Sequence, residues 1–199
     1  MQMLITDEQR DMLCELINIG VGHAASTLNS LIEHKIKLSV PSILIIDASH
    51  PEELPESLQM GEATAVTMAF HGDLKGNSAL MFPPESASTL VSALTGEAPD
   101  SPMHEELRAG TLAEVGNILL NGVLGSLSNM LDTTLSFTVP HYEDVSLDQM
   151  IVRQSAEAIL IAQAQFLVDE LMIEGNVVLF FEVSSFDALV AAMERMLSA

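Results

Sequence analysis

Two short spacings in this 199-residue chain place the same two side chains one helical turn apart: Glu15 with Asn18, and Glu114 with Asn117. In a helix, residues three and four apart share a face. Asp11, Glu15, Asn18 and Gly22 fall on one such line, and Gly110, Glu114, Asn117 and Asn121 draw it again. The chemistry on offer is a carboxylate beside a carboxamide, with no nucleophile and no basic phosphate cradle on either line. Any solvated helix face can carry such polar residues. Asn, however, is a mediocre helix former, because its amide competes with the backbone for hydrogen bonds. A solvated mid-helix position more often holds Lys, Glu or Gln. The return of Asn at the same register weighs toward a role, yet shared descent alone would preserve it. On the bare residues both readings stand open.

Other reactive side chains point elsewhere. His23, His34, His50, His71, His104 and His141 show no metal-ligand spacing and have no paired cysteines, so no metal site is expected. Cys14, the single cysteine, reads as a small packing residue rather than a nucleophile. Gly20, Gly22, Gly116, Gly122 and Gly125 lie inside helical patterns and lack the GK[ST] ending of a phosphate loop. Close packing of two long helices, or of those helices on a sheet, is the expected reason for them. The 12 Met read as gap-filling core residues.

The elements that carry the two lines recur along the chain. Glu15-Leu16-Ile17-Asn18-Ile19 answers to Glu114-Val115-Gly116-Asn117-Ile118, an offset of 117 − 18 = 99. Ser39-Val40-Pro41 matches Thr138-Val139-Pro140 at that offset, as Gly76-Asn77 matches Gly175-Asn176. Phe70 aligns with Phe166 at 166 − 70 = 96, which implies a longer second hairpin behind a shorter lead-in. One domain, residues 1–199, is therefore expected, with repeats over about 7–96 and 105–199 and a linker at 97–104. In each half a long helix comes first. Leu13, Ile17, Gly20, Ala24, Leu28 and Leu31 form the buried stripe of one; Leu112, Gly116, Leu119, Val123 and Met130 form that of the other. The helices are expected over 7–33 and 105–131, with Thr6 or Asp7 as first N-cap. A Pro-containing strand follows each, over 35–47 and about 135–142. Then come a hairpin, strands at about 64–70 and 79–82 or 158–166 and 177–183, and a closing helix. In the first half that helix starts at Pro83-Pro84-Glu85 and ends at Gly96.

Composition narrows the partners. Twenty-eight acidic residues against seven basic ones give a formal charge of −21. Nucleic-acid binding needs clustered Lys and Arg, and the seven here are scattered, so that class is excluded. Anionic membrane surfaces are disfavoured likewise, and no apolar run reaches the roughly 18 residues of a membrane span. A partner with positive charge around its own site is favoured. With no signal-peptide pattern at the N-terminus, the cytoplasm is the expected location.

Taken together, these residues resemble the CheC, CheX and FliY family of chemotaxis phosphatases. That family's motif is Asp or Ser, three residues, Glu, two residues, Asn, twenty-two residues, Pro. Asp11, Glu15, Asn18 and Pro41 fit every spacing; Glu114, Asn117 and Pro140 fit the second copy, where Gly110 replaces the Asp or Ser. The segment Asn18 to Leu28 is similar to the family's helix, with His23 where Asn is commoner. Two complete Glu/Asn pairs are most similar to the CheC type. The resemblance implies a phosphatase acting on the aspartyl phosphate of the response regulator CheY. Glu15 and Glu114 would pair with the regulator's active-site Lys, and Asn18 and Asn117 would hold the attacking water. A carboxamide has no useful pKa and so is not a general base; it orients water, as a glutamine does in GTPases. Asp11 would assist docking. Pro41 and Pro140 would be structural, and Mg²⁺ would come from the regulator, with no cofactor in this chain. The alternative is a non-catalytic module that docks CheY or the receptor deamidase CheD. Phosphatase action requires each Glu/Asn pair to be exposed and free of internal hydrogen bonds, and both sites are expected to be active.

The fold expected is α+β: two pseudo-symmetric halves sharing one sheet, with the two long helices together on one face.

Overall fold

The structure, a computed structural model, describes residues 6–32, 35–38, 42–47, 61–153 and 158–197. The first half runs helix α1 (Asp7–Ile32), strands β1 (Ile36–Leu38), β2 (Ser42–Asp47), β3 (Ala63–Gly72) and β4 (Gly76–Phe82), then helix α2 (Pro84–Thr95). The second runs α3 (Pro102–Met130), β5 (Leu135–Phe137), β6 (His141–Val145), α4 (Leu147–Val152), β7 (Ala158–Val168), β8 (Ile173–Glu182) and α5 (Phe186–Leu197).

Helix ends follow local chemistry. Thr6 and Gln9 form a reciprocal box at the start of α1: the Thr6 hydroxyl accepts from Gln9 N, and Gln9 Oε1 accepts from Thr6 N at 3.0 Å. Gly96 closes α2 in the left-handed region, φ 75°, donating its N–H to the Ser92 carbonyl. The second long helix begins at Pro102, three residues before the expected Glu105. Pro102 is its first residue rather than part of the linker, because a missing N–H costs nothing there, and Ser101 accepts from Met103 N as N-cap. The connection therefore spans 97–101.

The eight strands make one sheet, antiparallel at every pairing among the described residues, in the order β1-β7-β8-β4-β3-β5, with β2 also on β7 and β6 also on β3. Each half's hairpin thus carries the leading strands of the other half. At the centre Ala79 faces Val178, and the hairpins place Phe70 opposite Gly76 and Phe166 opposite Gly175. Gly76 is required there: a Cβ would lie 1.9 Å from the Phe180 carbonyl oxygen.

The strand expected over 135–142 is broken in two. Phe137 faces Phe70 and His141 faces Thr67, so four steps on one strand oppose three on the other. That extra residue is a bulge, and Pro140, which has no N–H to give a ladder, lies in it. Leu38 faces Phe166 and Ser42 faces Gln163, the same four against three. Pro41 itself lies outside the described residues.

All four longer helices pack on one face of the sheet. Leu13, Ile17, Leu28, Leu119, Val123 and Leu127 join Val66, Met68, Leu80, Leu179 and Phe181 in the main core. On the opposite face α4, which sequence patterning missed, seats Leu147, Met150 and Ile151 against Ala65, Met81 and Phe180. Of the expected stripe residues Met130 is half-buried, while Leu16, Val21, Leu120 and Leu124 join the core in addition.

Candidate functional site

The two long helices lie against each other through small residues. A Cβ on Gly20 would stand 3.1 Å from the Val123 carbonyl oxygen, and one on Gly122 would stand 2.9 Å from Ala24 Cβ. The two helices cross where Gly20 meets Val123 and Ala24 meets Gly122. Gly116 opens the space for Val66 of β3, whose Cγ1 would be 2.4 Å from an added Cβ. Those three glycines answer to packing, as expected. Gly22, Gly110 and Gly125 do not: nothing lies within 4 Å of a Cβ at any of them.

Opposite this packed seam the two lines face outward. Asp11 and Glu15 are exposed on α1 and Asn18 is half-buried; Glu114 is exposed on α3 and Asn117 half-buried. Each Glu therefore presents its carboxylate to solvent one turn ahead of an Asn set deeper in the helix surface. Among the described residues Asn18 makes no side-chain hydrogen bond.

Asn117 differs. Its Oδ1 accepts a 2.6 Å hydrogen bond from Asn121 Nδ2, one turn farther along α3. The expectation that both carboxamides are free is corrected here for the second pair: Asn at i and i+4 lie within reach of each other. On α1 the residue four beyond Asn18 is Gly22, which has no donor to offer. Between the helices His23 Nδ1 and Ser126 Oγ are 3.3 Å apart.

Family models match two parts of the chain: "CheC-like family" over residues 8–45 and "Chemotaxis phosphatase CheX" over 64–162. The CheY-P phosphatase CheC of Bacillus subtilis is 30% identical over 148 residues, covering 72% of this chain and 68% of that protein. The chain belongs to the CheC-like family. The crystal structure of Thermotoga maritima FliY shares the fold of this CheC-like protein with TM-score 0.75 at 17% identity, covering 98% of this chain and 100% of that one. A CheX–CheY–BeF3–Mg²⁺ complex from Borrelia burgdorferi matches with TM-score 0.59 at 19% identity, covering 83% and 97%.

Beside the second line of this CheC-like protein, a groove of about 590 Å³ runs between α2 and α3, lined by Leu94, Thr95, Leu107, Gly110, Glu114 and Ile118. Sequence reasoning missed it, since it depends on how α2 lies against α3; bare Gly110 leaves that wall open. Arg108, one turn before Thr111, is turned inward: it donates to Thr64 Oγ1 at 2.9 Å and to the Tyr142 hydroxyl at 3.1 Å. It ties α3 to β3 and β6 and leaves the outward line without a cation. Cys14 is half-buried beside Glu15, and burial, reinforced by Asp11, pushes its thiol pKa up, against a smaller lowering by Arg10. Such a thiol packs rather than attacks. Among the described residues no three His, Cys, Asp or Glu gather as metal ligands, and no helix is long and apolar enough to cross a membrane.

Proposed function

We propose that this CheC-like protein hydrolyses the aspartyl phosphate of a CheY-type response regulator, with the α1 and α3 lines as two docking and water-orienting sites. The observation that carries this reading is the first line: exposed Glu15 one turn ahead of Asn18, whose carboxamide has no partner among the described residues.

Glu15 and Glu114 pair with a cation at the rim of the regulator's site and fix the register of docking. Asn18 reaches the phosphoryl group and holds a water in line with phosphorus. Asn117, whose Oδ1 already accepts from Asn121 Nδ2, does so through its second lone pair, so the site needs a free lone pair and not a wholly unbonded carboxamide. That water's oxygen bonds to phosphorus as the aspartyl oxygen leaves, giving inorganic phosphate and a free carboxylate. The regulator brings the Mg²⁺ and the Lys that neutralise developing charge, so this chain supplies positioning. A formal charge of −21 and an outward line free of Lys and Arg suit a substrate whose site is ringed by positive groups.

We also infer that the two halves arose by duplication, since, α4 apart, the same order of elements returns with the same Glu/Asn spacing.

The test is the decay of the phosphorylated regulator with Mg²⁺, with and without this protein. Asn18→Ala, Asn117→Ala and the double variant are run alongside. Decay should quicken with the wild type, slow in each single variant and return to the unassisted rate in the double. Unchanged decay with a competent regulator would leave a docking module in place of an enzyme.

A further inference from the structure

Resting on the phosphatase reading, we propose that Asn121 is a positioning residue that restrains Asn117, so that the α1 site turns over faster than the α3 site. An attacking water must aim a lone pair at phosphorus and therefore has a proton to donate to the side chain that holds it. In a carboxamide the oxygen accepts a hydrogen bond from that O–H, without taking the proton; the nitrogen only donates, and would draw on the lone pair needed for attack. In α3 the oxygen is the atom engaged, 2.6 Å from Asn121 Nδ2. This bond also fixes which way the Asn117 carboxamide is turned. Oδ1 keeps a second lone pair, so the restraint slows the site without silencing it.

The first helix lacks this device. The position equivalent to Asn121, at 121 − 99 = 22, is Gly22, and a Cβ there would meet nothing within 4 Å. The open space shows that a side chain is absent at Gly22 for no packing reason. It also means that an Asn could be installed there without a clash. The two helices thus carry the same catalytic pair with and without an internal donor one turn on.

The experiment isolates each site. With Asn18→Ala only the α3 pair remains, and adding Asn121→Ala should raise its turnover at unchanged KM. The rise should be between about twofold and tenfold, the range spanned by one hydrogen bond of ordinary net strength. Asn121→Gln, which keeps a donor at that register, should stay slow. With Asn117→Ala only the α1 pair remains, and adding Gly22→Asn should lower turnover by a similar factor, again at unchanged KM. Circular dichroism and thermal unfolding check that each variant is folded. Turnover that is unchanged or lower in the Asn121→Ala background, or an effect confined to KM, would overturn the restraint while leaving the phosphatase intact. A wild-type protein that fails to quicken decay at all would remove the phosphatase reading, and this inference with it.

Discussion

Ala79 and Val178 face each other across the pairing of β4 with β8, at the centre of the sheet. They are 178 − 79 = 99 residues apart, the same separation as Asn18 and Asn117. The pair therefore matches a position with its own counterpart. From there outward each hairpin receives the leading strands of the opposite half: β1 and β2 on β7, β5 and β6 on β3. Neither half can close its part of the sheet alone, and their long helices share one core.

Fragments 1–100 and 101–199 should each lack a cooperative thermal transition by circular dichroism. Each exposes a hairpin edge and one side of the α1–α3 seam, and the loss of that burial removes much of the folding free energy. Mixing the fragments should restore a native-like spectrum. A cooperative transition in either fragment alone would show that the interleaving is not required for folding.

Replacing Gly110 with Asp supplies the charge that Asp11 provides one turn before Glu15. Gly110 is exposed and has open space around a Cβ, so the substitution brings no clash. With the α3 site isolated by Asn18→Ala, KM for the phosphorylated regulator should fall and kcat stay level. An exposed charge contributes about 0.2–1 kcal/mol, so the change is at most about fivefold and shrinks with salt. A KM unmoved at low ionic strength would place this turn outside the docking surface.

How much of this could be read beforehand depends on the kind of interaction. The exposure of Glu15 and Glu114 follows from a period of 3.6, which also marks the buried stripes, and the structure has both. The 96-residue step from Phe70 to Phe166 was legible because each stands opposite a glycine near the start of the returning strand, Gly76 first in β4 and Gly175 third in β8. Helix α4 was missed because six residues are too few for a period to separate helix from strand. Its signal was local: Ser146 followed three residues later by Gln149, whose Oε1 accepts from Ser146 N at 3.4 Å. The start of α3 lies three residues ahead of the expected Glu105 because Pro102, inside the expected linker, serves as the N1 residue of the helix. The Asn121–Asn117 bond depends on side-chain rotamers. Sequence showed that the two could meet, and only the coordinates show which atom is engaged.

Gly116→Ala should destabilise the protein although Ala is the better helix former. The new methyl would press on the Cβ and Cγ1 of Val66, at 2.7 and 2.4 Å, and a β-branched side chain in a buried strand has little room to turn. Overpacking of about 1–3 kcal/mol outweighs a helix gain of about 1 kcal/mol. Urea titration should show a lower midpoint at unchanged slope. Gly125→Ala, in the same helix with no neighbour within 4 Å, is the control and should be neutral or stabilising.

Cys14 offers a test that is independent of any partner. Burial first, then the carboxylate of Asp11, raise its thiol pKa above the ordinary 9.0, with Arg10 opposing. Near neutral pH the thiol is protonated in the folded and the unfolded chain alike, so it gives stability no slope there. Above the unfolded pKa the unfolded chain loses the proton while the folded chain still holds it, so stability falls with rising pH until the folded value is passed. Cys14→Ser should flatten that alkaline decline. Because the thiolate is the reactive form, a disulfide reagent at pH 8 should label the native protein more slowly than the urea-unfolded chain. Equal rates in the two states would mean that the thiol is neither shielded nor held protonated, and would leave Asp11 without the electrostatic influence on Cys14 assigned to it here.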